Sequence, residues 1–193
     1  MGLAIKKQDH KYTYKDYLGW PDDERWELIG GVAFDMSPAP LVEHQNITGE
    51  LFAAIKNFLK NKKCKVFVSP IDVFISDRKD DKDELIENVV QPDIIVVCDQ
   101  SKVEKKGIRG APDMVIEVLS TSTAKKDWNE KYNLYEKHGV REYWIVDPSN
   151  KAVYIYQLND KGVFVEKVIL EEKGIAECFV LEGLKINIEE IFV

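Results

Sequence analysis

The sequence predicts an α/β fold of the α+β kind, with a central mixed sheet flanked by helices and extra β-hairpins. Three observations lead there. Two apolar, β-branched runs, 94–97 and 114–119, read as strands buried on both faces. Two longer stretches, 44–61 and 124–138, carry apolar residues at helical spacing. Beyond Pro148 the pattern turns to alternating strands around Asn159-Asp160-Lys161-Gly162. With 193 residues and 45% hydrophobic content the chain can bury one good core, and nothing in it requires a second, so a single domain over 1–193 is expected.

In order, residues 14–18 suit a short helix, stopped by Gly19 and Pro21, and Pro21-Asp22-Asp23 suits a turn. A hairpin follows, 25–29 and 32–36 around Gly30-Gly31, and Ser37-Pro38-Ala39-Pro40 breaks its second strand. The helix over 44–61 lines up Ile47, Leu51, Ala54, Ile55, Phe58 and Leu59, which packs one face on a sheet. Strands are expected over 65–75 and 89–97, separated by a solvated Asp- and Lys-rich loop at 77–87. Strand 114–119 precedes the helix over 124–138, with Ser120-Thr121-Ser122-Thr123 as cap candidates and Gly139 as its stop. Strand 142–146 ends at Asp147-Pro148-Ser149-Asn150. The pair 152–158 and 163–170, then Phe179-Val180 and a short helix near Ile188, close the chain. No internal repeat or low-complexity segment occurs.

Polar residues break this apolar pattern at three places. Glu117 stands in the middle of Met-Val-Ile-Glu-Val-Leu, and burying an ionised carboxylate costs several kcal/mol unless a cation or donors compensate. Asp93, in Gln91-Pro92-Asp93, opens the second buried run. Two carboxylates on neighbouring central strands suggest a metal site. On the following helix the apolar stripe runs through Ala124, Trp128, Tyr132 and Tyr135, and Lys131 falls within it, pointing inward. Each residue also has a structural reading: a buried Glu117–Lys131 ion pair, an Asp93 that accepts backbone N–H groups, or a surface bridge from Lys131 to Asp127. Their occurrence in strand, strand, helix order favours chemistry, because a structural pair does not need the second acid.

Asp93 followed two dozen residues later by Glu117 resembles the PD-(D/E)XK nuclease signature. More of the chain is similar to one branch of that superfamily, the Uma-two family of restriction endonucleases. The segments that carry the resemblance are 26–31, Met36-Ser37-Pro38, His44-Gln45, Gln91-Pro92-Asp93, 112–120, 127–135 and 139–148. It implies a restriction-endonuclease-like core, whose order of helix, three strands, helix and strand matches the elements above. It departs at Leu119, which occupies the usual lysine position two after Glu117; the resemblance allows the lysine to come from the adjacent helix, where Lys131 stands, with Lys125 and Lys126 as fallbacks. Glu27 would alternate to the face opposite Trp26 and Leu28, which reads as surface, while the resemblance includes it as a third acid near the metal. His44 either caps the long helix or approaches a phosphate, and Arg109, in Gly107-Ile108-Arg109-Gly110, is either a phosphate contact or a solvated loop residue.

The expected function is therefore metal-dependent hydrolysis of phosphodiesters, with nucleic acid, and DNA first, as partner. The catalytic set is Asp93, Glu117 and Lys131; the metal set is Asp93, Glu117 and Glu27, with a strand carbonyl near Val118. Hard oxygen donors with no His or Cys cluster favour Mg2+ or Mn2+ over Zn2+. The net charge of −7 opposes this reading, since phosphate contacts call for a basic footprint, although basic clusters exist at 60–65, 102–109 and 125–126. The rival is a catalytically inactive nuclease fold acting as a binding or structural module. No stretch approaches a membrane span and no signal-like run opens the chain, so a cytoplasmic protein is expected. Cys64, Cys98 and Cys178 suggest neither a disulfide framework nor a zinc pattern. Exposed strands in the C-terminal hairpins would allow a homodimer.

Overall fold

The computed structural model describes residues 10–21, 24–36, 41–78, 81–120 and 124–192. Three predicted features lie outside these: the Asp22-Asp23 turn, the 37–40 breaker and the cap candidates at 121–123. The elements run α1 (Tyr14–Tyr17), β1 (Trp26–Ile29), β2 (Val32–Asp35), α2 (Val42–Phe58), β3 (Lys65–Val68), β4 (Val73–Ile75), β5 (Asn88–Val90), β6 (Ile94–Val97), β7 (Val103–Glu104), β8 (Gly107–Arg109) and β9 (Met114–Val118). Then come α3 (Ala124–Lys126), a π turn (Asp127–Lys131), α4 (Tyr132–Lys137), β10 (Glu142–Asp147), β11 (Ala152–Leu158), β12 (Phe164–Glu171), β13 (Ile175–Glu177) and β14 (Lys185–Asn187).

The α+β class and the added hairpins agree with expectation. The strands, however, are shared between two six-stranded mixed sheets, ordered β2-β1-β5-β4-β8-β7 and β12-β11-β10-β9-β6-β3. Each of two predicted single strands is in fact two strands, one in each sheet: 65–75 divides into β3 and β4 on either side of a cis Ser69–Pro70 bond, and 89–97 divides into β5 and β6 at Gln91-Pro92-Asp93. Proline cannot donate to a ladder, so Pro92 falls where the chain leaves one sheet for the other. Periodicity alone cannot reveal such a break, because both halves are apolar. The Gly30-Gly31 hairpin matches its prediction, with both glycines at positive φ, 59° and 79°, as the tight turn demands.

Alternation on the β9–β10 sheet separates two cores. Ile94, Val96, Met114, Ile116, Trp144 and Val146 face α2, whose Ile47, Leu51, Ile55 and Leu59 cover them, and the β13–β14 hairpin closes the same side. Ile95, Val97, Val115, Tyr143 and Ile145 face the other way, against Val73, Ile75, Val90 and Ile108 of the first sheet and Leu134 and Tyr135 of α4. Glu117 belongs to this second face. A Cys64–Cys98 disulfide departs from the sequence reading; the two cysteines, 34 residues apart, become neighbours because β3 pairs with β6 from Lys65↔Val97 onward. No helix among the described residues is long and apolar enough to cross a membrane.

Candidate active site

Strand register brings the two acids together. β6 and β9 run antiparallel with Ile95 opposite Val115 and Ile94 opposite Ile116, so one further step sets Asp93 opposite Glu117. Asp93 ends the ladder: its Oδ2 accepts the Val118 N–H at 2.8 Å, and its carbonyl accepts the Ser69 N–H at 2.9 Å. Glu117 is 3% exposed. Its Oε1 accepts two bonds of 2.8 Å, from Lys131 Nζ and from the Tyr135 hydroxyl. Those donors are four residues apart, and the π turn that ends at Lys131 aims both at one carboxylate oxygen.

Lys131 is 3% exposed and touches three acids: Glu117, Glu27 Oε1 at 3.0 Å and Asp127 Oδ1 at 3.5 Å. The predicted inward lysine is thus where the stripe put it. Glu27 is not a surface residue as alternation suggested; it is wholly buried, with Lys126 and Lys131 reaching it from the helical segment after β9. Lys126 Nζ pairs with Glu27 Oε2, and the Gln91 N–H donates to Oε1 at 2.9 Å. Lys126, a fallback for the catalytic lysine in the sequence reading, is therefore a largely buried ion-pair partner, whereas Lys125 is exposed.

The electrostatics follow from this crowding. Burial pushes the Glu117 carboxyl up to about 8, with Asp127, Asp93 and Glu27 adding to the rise and Lys131 opposing it. Burial alone would lower Lys131, but the surrounding carboxylates of Glu117, Glu27 and Asp127 hold it well above its ordinary value, so it keeps its proton. Glu27, despite the cost of its burial, is held down at about 2 by Lys131 and Lys126.

Two participants had weak signals in the sequence. Tyr135 looked like one more apolar residue of the stripe. His44 is a buried residue in the first turn of α2, with Nε2 3.2 Å from Asp93 Oδ2. Burial would lower the ring's pKa, but the Asp93 bond raises it. Other candidates lie elsewhere. Arg109 is held by Glu104 at 2.7 Å and Asp83 at 3.0 Å, and Leu119 packs in the apolar core.

The divalent cation expected from the sequence fits these donors. Asp93 Oδ1 and Glu117 Oε2 make no hydrogen bond among the described residues. Four acids, Glu27, Asp93, Glu117 and Asp127, lie with Lys126, Lys131 and His44 in a buried place, and burial together with this crowding raises the Glu117 carboxyl. Among the described residues no three His, Cys, Asp or Glu side chains are grouped to hold an ion by themselves. An ion here would therefore rest on two side chains with main-chain and solvent oxygens, as Mg2+ commonly does.

A family whose description reads "Putative restriction endonuclease", Uma2, matches residues 14–189. The chain belongs to the Uma2 family. It is similar to two proteins of Synechocystis sp., "Uncharacterized protein slr1290", 26% identical over 155 residues (79% of this chain and 77% of that protein), and "Uncharacterized protein sll1609", 26% identical over 137 residues (69% and 72%). The fold is that of a crystal structure described as a putative nuclease belonging to DUF820 from Anabaena variabilis, with a TM-score of 0.73 at 20% identity, covering 93% of this chain and 97% of that one.

Proposed function

We propose that this Uma2 protein is a cytoplasmic, metal-dependent endonuclease that hydrolyses phosphodiester bonds in DNA. The observation that carries the reading is Lys131 Nζ at 2.8 Å from Glu117 Oε1, on a strand whose register sets Glu117 opposite Asp93. Asp93 and Glu117 would hold Mg2+ or Mn2+, which when bound polarises the phosphoryl group and lowers the pKa of an attacking water. Lys131 stays charged and steadies the negative charge that develops on the phosphoryl oxygens. Tyr135 fixes the rotamer of Glu117, leaving Oε2 for the site. Glu27 has both oxygens engaged, by Lys126, Lys131 and Gln91, so in this reading it anchors the lysines and does not ligate the ion. The lysine displaced from the position of Leu119 is thereby restored in space.

Cleavage of supercoiled plasmid and of single-stranded DNA with Mg2+ or Mn2+ tests this, for wild type beside Asp93→Asn and Glu117→Gln. Metal-dependent cutting lost in both variants is expected; a wild type that cuts neither substrate overturns it. The rival reading, an inactive nuclease fold that binds or scaffolds, is favoured by the enclosure of Lys131 among three carboxylates, and it predicts that outcome. Pairing of two copies is supported by β12, a sheet-edge strand with Val165 and Ile169 exposed.

A further inference from the structure

The proposed function takes DNA as the substrate, and the following rests on that reading. We propose that the DNA backbone lies along the outer edge of β3, on a track of cations that runs from Arg25, beside the site, to a lysine cluster at the end of α2.

Charge is the first ground. The chain carries a net charge of −7, yet residues 51–71 contain five lysines, Lys56, Lys60, Lys62, Lys63 and Lys65, and no Asp or Glu. All five are exposed, and none forms an ion pair among the described residues. By contrast Lys11, Lys15, Lys137 and Lys185 each face an acid. The other two basic runs of the sequence are partly committed within the fold: Lys102 to the Ala111 carbonyl, Arg109 to Glu104 and Asp83, and Lys126 to Glu27. A lysine on an edge strand also discourages pairing with another sheet, which accounts for Lys65. Lys60, Lys62 and Lys63 precede the strand and have no such edge to guard. A cluster of unneutralised lysines on an acidic protein suits a polyanion, and phosphates on DNA are spaced closely enough to meet several at once.

Continuity with the site is the second ground. β3 is the outer strand of its sheet, and the residue that follows it, Ser69, donates its N–H to the Asp93 carbonyl at 2.9 Å. From Lys65 to Ser69 is about 13 Å of extended chain, less than half of the ~34 Å turn of a duplex. The Cys64–Cys98 disulfide and the pairing of Lys65 with Val97 fasten the lysine turn to the sheet. At the other end of the track Arg25 is exposed, and its guanidinium bonds neutral groups, Gln91 Oε1 at 2.7 Å and the Ser69 hydroxyl at 3.5 Å. The Asp72 carboxyl, which feels the Arg25 charge, is itself engaged by the Tyr17 hydroxyl and the Gln91 amide. Arg25 thus keeps its charge for an incoming phosphate, held by Gln91 two residues before Asp93.

The test is fluorescence anisotropy of a labelled duplex of roughly 30 base pairs, titrated with the whole chain in EDTA at several KCl concentrations. One variant combines Lys60→Gln, Lys63→Gln and Lys65→Gln; another combines Lys60→Arg, Lys63→Arg and Lys65→Arg. A control combines Lys161→Gln, Lys167→Gln and Lys173→Gln, exposed lysines on or beside β12 at the opposite edge of the same sheet, with the same change in net charge. The glutamine track variant should bind roughly tenfold more weakly or worse, with the slope of log affinity against log salt reduced by about two to three. The arginine variant and the control should stay within about threefold of wild type, and Arg25→Ala should reduce the slope by about one. Equal losses in the track and control variants overturn the proposal, as does a glutamine track variant that binds like wild type. A wild type that ignores the duplex but binds phosphatidylserine vesicles through these lysines overturns it in favour of a membrane surface. If wild type binds the duplex on this track and cuts neither DNA substrate, the track stands and the nuclease reading falls. If wild type cuts while the glutamine track variant binds undiminished, the track alone is lost.

Discussion

Two carboxylates are buried in the same sheet, on adjacent strands, and their surroundings differ in kind. Glu117 on β9 faces the side covered by α4, among Lys131, Tyr135, Asp127 and Glu27. Glu142 on β10 faces the opposite side, is wholly buried, and is held by neutral groups: the Trp144 indole N–H at 2.7 Å, the Val180 N–H at 2.7 Å and the Cys178 thiol at 3.1 Å. Glu142 ties the start of β10 to the loop between β13 and β14, and those donors satisfy it within the fold. The cluster around Glu117 instead crowds carboxyl groups about a buried lysine. Burial identifies neither residue as functional; the titratable neighbours of Glu117, against the neutral donors of Glu142, distinguish them.

The largest effect should separate these two carboxylates by activity. Glu117→Gln should lower metal-dependent cleavage roughly 10³-fold, with Glu142→Gln within about threefold of wild type wherever it is folded. Initial rates on plasmid DNA check this. Equal losses in the two variants would remove the distinction.

Stability should invert the order. Glu142→Ala leaves the Trp144 and Val180 donors buried without an acceptor and should cost ~3 kcal/mol in urea unfolding, mostly in the docking of the β13–β14 hairpin. A cost below ~1 kcal/mol would mean that the hairpin does not depend on this acid.

A third contrast uses pH. Glu117 binds its proton more tightly folded, at about 8, than unfolded, near 4.5. Across that window the folded state holds the extra proton, so this group's contribution to stability is lost as pH rises. Glu27, held at about 2, has the opposite sign: its contribution is present above 4.5 and is lost as pH falls toward 2. In metal-free protein, Glu117→Gln should therefore gain ~2 kcal/mol relative to wild type at pH 9, with the advantage fading toward pH 4.5, and Glu27→Gln should show no such gain. Thermal unfolding across pH 3–9 measures both; a Glu117→Gln advantage that does not change with pH would contradict the elevated carboxyl.

Much of this was legible in the sequence, and what was missed has physical causes. Glu117 and Lys131 were visible because each breaks an apolar pattern whose period fixes where it points. Glu27 was misread as surface because the cations that permit its burial, Lys126 and Lys131, lie about a hundred residues later. The two-sheet division was hidden because β3 and β4, like β5 and β6, are mostly apolar, and which sheet each half joins depends on distant partners. The short strands β7, β8, β13 and β14 escaped for the same reason, since two or three residues show no period. His44 gave only a weak signal, because its partner Asp93 lies far along the chain.

The smallest effect concerns Arg109, which the sequence offered as either a phosphate contact or a solvated loop residue. It is neither. It sits on β8, its Nε on Glu104 and one Nη on Asp83, with the guanidinium 4.9 Å from the centre of the Phe74 ring. Its pKa is raised by these two acids, though partial burial pulls the other way. A cation already shared by two carboxylates has little attraction left for phosphate. Half-exposed pairs of this type are weak, so Arg109→Ala should cost ~1 kcal/mol or less, and the cost should shrink in high salt. Nucleic-acid affinity and its salt slope should not change. A slope reduced by about one in Arg109→Ala would mean that the residue leaves its acids for a phosphate when the substrate arrives, and the binding surface would then extend across β8.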